Sequence, residues 1–155
     1  MSSGNFIQAE SRHLPFLVKI LNSLPDDVIR PKYPTNITEQ TAALEASGLW
    51  VQEVDGGVVS VVEFQHDQQP ARITRVQIYG AEILDAMRKV LNRCFNDLGR
   101  NKVSIDVLAG SPALKIYESL GFRVEVRKRQ HFFTKGKPQH VLELAIRAQE
   151  FHAVR

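Results

Sequence analysis

The chain has 155 residues, of which 43% are hydrophobic and 24% charged, and its formal net charge is +3. That suffices for one domain with its own hydrophobic core, expected over residues 1–155, and no tract has the composition of a disordered or fibrous protein. No apolar run approaches the ~20 residues a membrane-spanning helix needs, so no membrane partner is expected. The N-terminus Met1-Ser2-Ser3-Gly4-Asn5 lacks the basic-then-apolar pattern of a secretory leader, and Cys94, the single cysteine, has no partner for an internal disulfide. Both features lead to the expectation of a cytoplasmic protein.

Asn5-Phe6-Ile7-Gln8-Ala9-Glu10 predicts a short first strand. Ser11 is the expected cap of a helix through Leu14, Leu17, Val18 and Leu21, with Pro15 tolerated in its first turn. Leu24-Pro25 ends that helix, residues 30–34 read as a loop, and a second helix is expected over 38–46. Two strands, over 49–54 and 58–64, flank Asp55-Gly56-Gly57, a hairpin signal because a tight turn requires positive φ. Residues 72–78 alternate as another strand. Gly80 then leads into the longest helix, expected over 82–98, where Ile83, Met87, Val90, Leu91, Cys94, Phe95 and Leu98 fit a 3.6-residue period. Cys94 lies on that apolar stripe and reads as core, not as a nucleophile.

Val103-Ser104-Ile105-Asp106-Val107-Leu108 is a strand, and Ser111 to Phe122 follows as a short helix with a Gly-Phe stop. Ala113, Ile116, Tyr117 and Leu120 share one stripe, and Gly121 stands where a left-handed cap is needed. Two further strands are expected over 124–133 and 140–146. The order β-α-α-β-β-β-α-β-α-β-β predicts an α/β (α+β) domain, a mixed sheet flanked by helices. The five histidines are scattered without metal-ligand spacing, and no metal is expected.

The sequence strand, A-x-x-x-Y-x-x-x-G-F, strand over residues 103–127 resembles the C-terminal half of the GCN5-related N-acetyltransferases, and the element order is similar along nearly the whole chain. The resemblance implies acetyl-coenzyme A as co-substrate and a small-molecule or protein amine as acceptor. It implies backbone contacts from Val76, Gln77 and Ile78 to the pantetheine arm, and Tyr117 as the acid beside the departing sulfur. A phenol is suited to that role, since its ordinary pKa of ~10 keeps it protonated at neutral pH. Periodicity alone reads Tyr117 as a core residue. Where the family carries a glycine-rich stretch whose N–H groups cradle the coenzyme's diphosphate, this chain has only Tyr79-Gly80-Ala81-Glu82. Tyr79, Gly80 and Ala81 are the candidate remnant of that loop. Glu82 and Asp85 would fall in the first helical turn and repel a phosphate. The family's Asn seven positions before the Tyr is Gly110 here.

No general base stands out. Glu63, at the end of its strand, is the candidate, with His66 and Asp106 as alternatives. The competing reading is a catalytically silent module of the same fold that has lost tight coenzyme binding. A third reading is a nucleic-acid or phosphate-ligand binder built on the basic residues Arg123, Arg127, Lys128, Arg129, Lys135 and Lys137. That stretch lacks interleaved aromatic residues, so nucleic acid is not expected, and the charges fit a solvated edge hairpin. Edge strands near the C-terminus could pair two copies of the chain into a homodimer.

Overall fold

A computed structural model describes residues 4–24, 48–67, 71–134 and 136–153. Its centre is a seven-stranded sheet of β1 (Asn5–Gln8), β2 (Gly48–Val54), β3 (Gly57–His66), β4 (Ile73–Gly80), β5 (Lys102–Leu108), β6 (Arg123–Thr134) and β7 (Lys137–Arg147), in spatial order β1-β2-β3-β4-β5-β7-β6. Every neighbouring pair is antiparallel except β4 and β5. Parallel neighbours need a crossover, and α2 (Ile83–Asn92) supplies it. The expected mixed sheet with flanking helices is what the chain forms, and its elements follow the expected order. The helix expected over 38–46 lies outside the described residues.

Alternation along the strands sorts the two faces. Val62, Phe64, Val76, Ile78, Ile105, Val107, Leu144 and Ile146 point to one side and pack against α2 and α3 (Ala113–Ser119), with Phe151 of α4 (Ala148–Ala153) closing the cluster. On the other side, Leu49, Val51, Val61 and Tyr79 pack beneath Leu14 and Leu17 of α1 (Leu14–Asn22). Helix α4 gave no sequence signal, being only six residues long.

Three local outcomes differ from expectation. Ser11 does not cap α1; it opens a 3-10 turn, Ser11–His13, with Glu10 at the cap position. There the buried His13 accepts the Glu10 backbone N–H at Nδ1 (2.9 Å), so Nε2 carries the proton it shares with Glu53 at 2.9 Å. The long helix widens at Arg93–Asp97 into a π turn, closed by the Leu98 N–H on the Arg93 carbonyl. This turn seats Cys94 and Phe95 inside and sets Arg93 4.2 Å above the Trp50 ring. Burial pushes the Cys94 thiol up to about 12, which fits the expected core role. Finally, β4 continues to Gly80 and runs almost directly into α2, leaving only Ala81 and Glu82 between them.

Arg123, Arg127, Lys128 and Arg129 lie on the edge strand β6 and Lys137 opens its hairpin partner β7. Part of this charge is paired: Arg123 with Glu150 (3.2 Å) and Lys128 with Asp106 (3.3 Å). Lys135 lies outside the described residues. Among the described residues no helix is long and apolar enough to cross a membrane.

Candidate active site

Strands β4 and β5 pair only from Ile73/Lys102 to Val76/Ile105. Beyond that point β4 stays in register with β3 as far as Gly80, and β5 stays with β7 as far as Leu108. Each strand follows its outer neighbour, so the two part. Among the described residues, Gln77–Gly80 and residues 106–108 then face one another with no strand pairing across the gap. A cleft of about 570 Å³ fills the wedge. Its wall passes from Ile20 of α1 and Leu24 just beyond that helix, past Val58 and Val59 of β3, between the parted strands, to Ile83, Ala113 and Tyr117 on the opposite side of the sheet.

Tyr117 is held by α3. Its ring packs 5.8 Å from that of Phe122, and only 3% of its surface is exposed. The helix is short because Gly121, at φ +107°, turns the chain back into β6; a Cβ there would stand 3.1 Å from Ile146 Cδ1. Burial raises the Tyr117 phenol well above its ordinary value, so it is a proton-bearing donor throughout the neutral range. Among the described residues the hydroxyl makes no hydrogen bond. Tyr117 is therefore both a core residue and part of the wall of the cleft.

The other anticipated positions divide. Gln77, Ile78, Tyr79, Gly80 and Ala81 line the cleft, whereas Val76 lies in the last paired rung, below the point of separation. Glu63 is not in the wall. It sits on β3 opposite Gln77, part of a polar row on the α1 side of the sheet. That row runs from Glu63 to Gln77, whose Nε2 donates to the Asp106 carbonyl at 3.4 Å, and on to Asp106 and its cross-strand partner Glu143. Only Asp106 of its carboxylates reaches the cleft. His66 lies at the far end of β3, its Nδ1 2.7 Å from Thr74 Oγ1, and burial with nearby Arg100 and Arg93 lowers its pKa. Gly110 is likewise absent from the wall. Among the lining residues that sequence reasoning missed are Ile20, Leu24, Val58 and Val59. They are ordinary apolar positions, and only their convergence in space marks them.

The splayed sheet with a tyrosine in its gap is the architecture of the GCN5-related N-acetyltransferases, and this chain has that fold. A spermidine N-acetyltransferase from Vibrio cholerae, solved as a point mutant, superposes with a TM-score of 0.84 over 97% of each chain at 20% identity. The same enzyme in complex with CoA and spermine gives a TM-score of 0.84 over 98% of this chain and 99% of that one, at 19% identity. A ribosomal-protein-alanine N-acetyltransferase from Brucella melitensis gives 0.76 over 92% and 99%, at 15% identity. No protein-family model matches the sequence, and neither does any curated protein.

A coenzyme A thioester fits this site in part. The wedge suits a narrow chain carrying amides, because the parted strands offer backbone groups and an apolar lining. The diphosphate end is different. Gly80, at φ +103°, lies so close to β3 that a Cβ would stand 2.6 Å from the Val59 carbonyl oxygen, and the Ala81 N–H donates to that same oxygen at 2.8 Å. Both residues therefore serve the sheet, and neither is part of an open cradle. Glu82 takes a left-handed conformation (φ 55°) at the cap position of α2, not a place in its first turn, and its side chain does not cap the helix. Asp85 is in the first turn as expected, where it accepts from Gln52 Nε2 at 2.7 Å and pairs with Lys89 at 3.4 Å.

Proposed function

We propose that the protein is an acyltransferase that moves an acetyl group from a thioester to an amine. The observation that carries this reading is the cleft between β4 and β5 with Tyr117 in its wall. The N-acetyltransferase activities of its structural neighbours support the same class of reaction.

The chemistry follows from the wall. The acceptor nitrogen, neutral and with its lone pair free, attacks the thioester carbonyl carbon. A C–N bond forms, the C–S bond breaks, and the sulfur leaves as a thiolate. A raised phenol pKa makes full proton transfer from Tyr117 to a thiolate uphill, since a free thiol titrates near ~8.5. Tyr117 therefore donates a hydrogen bond to the departing sulfur and keeps its proton. The nitrogen gives up its excess proton to Asp106 or to water, so charge and atoms balance. Asp106 is the sole ionic side chain in the cleft wall among the described residues, and it is acidic. An acid at that place favours a cationic acceptor, because a carboxylate attracts an ammonium group before it is deprotonated. Lys128 lies 3.3 Å from Asp106 and 3.7 Å from Glu143, so a cationic acceptor competes with its ammonium for these carboxylates.

The test is thiol release from acetyl thioesters in the presence of a panel of amines, with mass spectrometry of the acceptor. Acetylated amine formed at a rate proportional to enzyme is the expected result. Saturable thioester binding with no acetylation of any amine would instead establish the silent module.

A further inference from the structure

We propose that Lys128 sets which amines the cleft accepts, by holding the place at Asp106 that an acceptor's ammonium group would take. It acts in the acyl transfer proposed above, on which this assignment rests, from outside the cleft wall and through Asp106.

Lys128 belongs to β6, and β7 lies between that strand and β5, which carries Asp106. Its own cross-strand partner is Val141, yet its Nζ reaches across β7 to Asp106 Oδ2 at 3.3 Å and Glu143 Oε1 at 3.7 Å. The regular pairing of β6 with β7 breaks just after Lys128 and resumes at Phe132. An irregularity of that kind bends the strand and redirects the side chains beside it. Glu143 has a second cation, Arg75 of β4, at 3.5 Å. Arg75 thus answers Glu143, and the Lys128 ammonium is left chiefly to Asp106, the carboxylate that lines the cleft. An acceptor's ammonium entering the cleft therefore meets a carboxylate already neutralised, and Lys128 itself repels it. The pair can exchange. The Lys128 and Asp106 side chains keep 27% and 26% of their surface exposed, so solvent screens part of their attraction. A flexible lysine stem also lets the ammonium swing aside. An uncharged amine neither displaces Lys128 nor is repelled by it. Lys128 thereby handicaps cationic acceptors against uncharged ones.

The test is steady-state acetylation of alkylamines, cationic at neutral pH, by the full chain and by Lys128→Met, Lys128→Gln and Lys128→Arg, with urea midpoints to confirm folding. In the Met and Gln variants KM for the alkylamine is expected to fall about three- to tenfold, with kcat within about twofold of wild type. Lys128→Arg keeps the charge, and its alkylamine KM is expected to be no lower than wild type's. Where an arylamine, uncharged at neutral pH, is also a substrate, its KM is expected to stay constant across all variants. If both folded neutral variants leave the alkylamine KM unchanged or raise it, if Lys128→Arg lowers it as far as they do, or if arylamines alone are acetylated, Lys128 does not select by charge while acyl transfer stands. If neither wild type nor any variant acetylates an amine, the selectivity role and the acyltransferase reading fail together.

Discussion

At the scale of single residues, the cleft depends on groups whose environments oppose one another. Tyr117 is almost fully buried, and its phenol, which keeps its proton, lines the wedge as a donor. Tyr117→Phe removes only that donor. A hydrogen bond to a charged atom contributes about 1.5–3 kcal/mol, so turnover should fall ~10- to 100-fold while the circular dichroism spectrum and melting temperature stay unchanged. An unaltered rate would leave Tyr117 as packing only. Asp106→Asn keeps the shape and removes the charge; KM for a cationic acceptor should rise about tenfold, with a much smaller effect on a neutral amine. Equal effects on both acceptors would show that Asp106 does not sense their charge. Away from the site, Glu53 binds Arg12 and His13, and the Arg12 hydrogen bond above all holds its carboxyl at about 2, below the ordinary 4.5. A depressed carboxyl contributes stability that is present above its unfolded value and lost as pH falls through the folded one. Urea midpoints should therefore drop between pH 4.5 and about 2, and Glu53→Gln should flatten that part of the profile. The placement of Tyr117 on a short helix and of Gly121 at its end was legible in the sequence, because both are fixed by local spacing. Glu63 was misplaced as a cleft residue because alternation gives the face of a strand and not its distance from a gap two strands away.

At the scale of elements, the junction of β4 and α2 decides most. Its glycine looked like the remnant of a phosphate loop, yet its backbone serves the sheet. Positive φ and the 2.6 Å approach of a Cβ to the Val59 carbonyl make Gly80 a structural requirement. Gly80→Ala should cost about 1–3 kcal/mol of unfolding free energy in denaturant titration, whatever thioester is added. A variant of native stability with weakened thioester affinity would return Gly80 to a binding role. The same junction shows where sequence reading stops. The strand was expected to end at residue 78, because Tyr79-Gly80 breaks the alternating pattern; in the structure β3 continues to pair with it through Ser60/Gly80. The π turn at Arg93–Asp97 was equally hidden, since an apolar stripe with a 3.6-residue period looks the same whether or not one turn widens. At that turn Phe95 packs 5.0 Å from Phe151 on α4, a contact between residues distant in sequence.

At the scale of the whole molecule, one core cluster reaches from β3 to β7 and is closed by α2, α3 and the small α4. Phe151 is the plug of that closure. Phe151→Ala should cost about 3–5 kcal/mol, read as a loss of unfolding free energy in urea; a change below ~1 kcal/mol would show that α4 is dispensable. The seven-stranded order itself explains the cleft. A sheet with a single parallel pair, each member tied to an antiparallel neighbour, opens where those neighbours pull apart. The sequence by itself determined the seven strands and their order along the chain, the mixed sheet with its flanking helices and the tyrosine on its short helix. Those properties follow from periodicity, turn residues and composition, which act over a few positions along the chain. Only the tertiary structure decided that β4 and β5 separate after Val76, that Asp106 and not Glu63 reaches the gap, and that Ala81 gives its N–H to the sheet. Each of these depends on which backbone groups find partners across strands distant in sequence, and hydrogen-bond competition of that kind leaves no trace in local pattern.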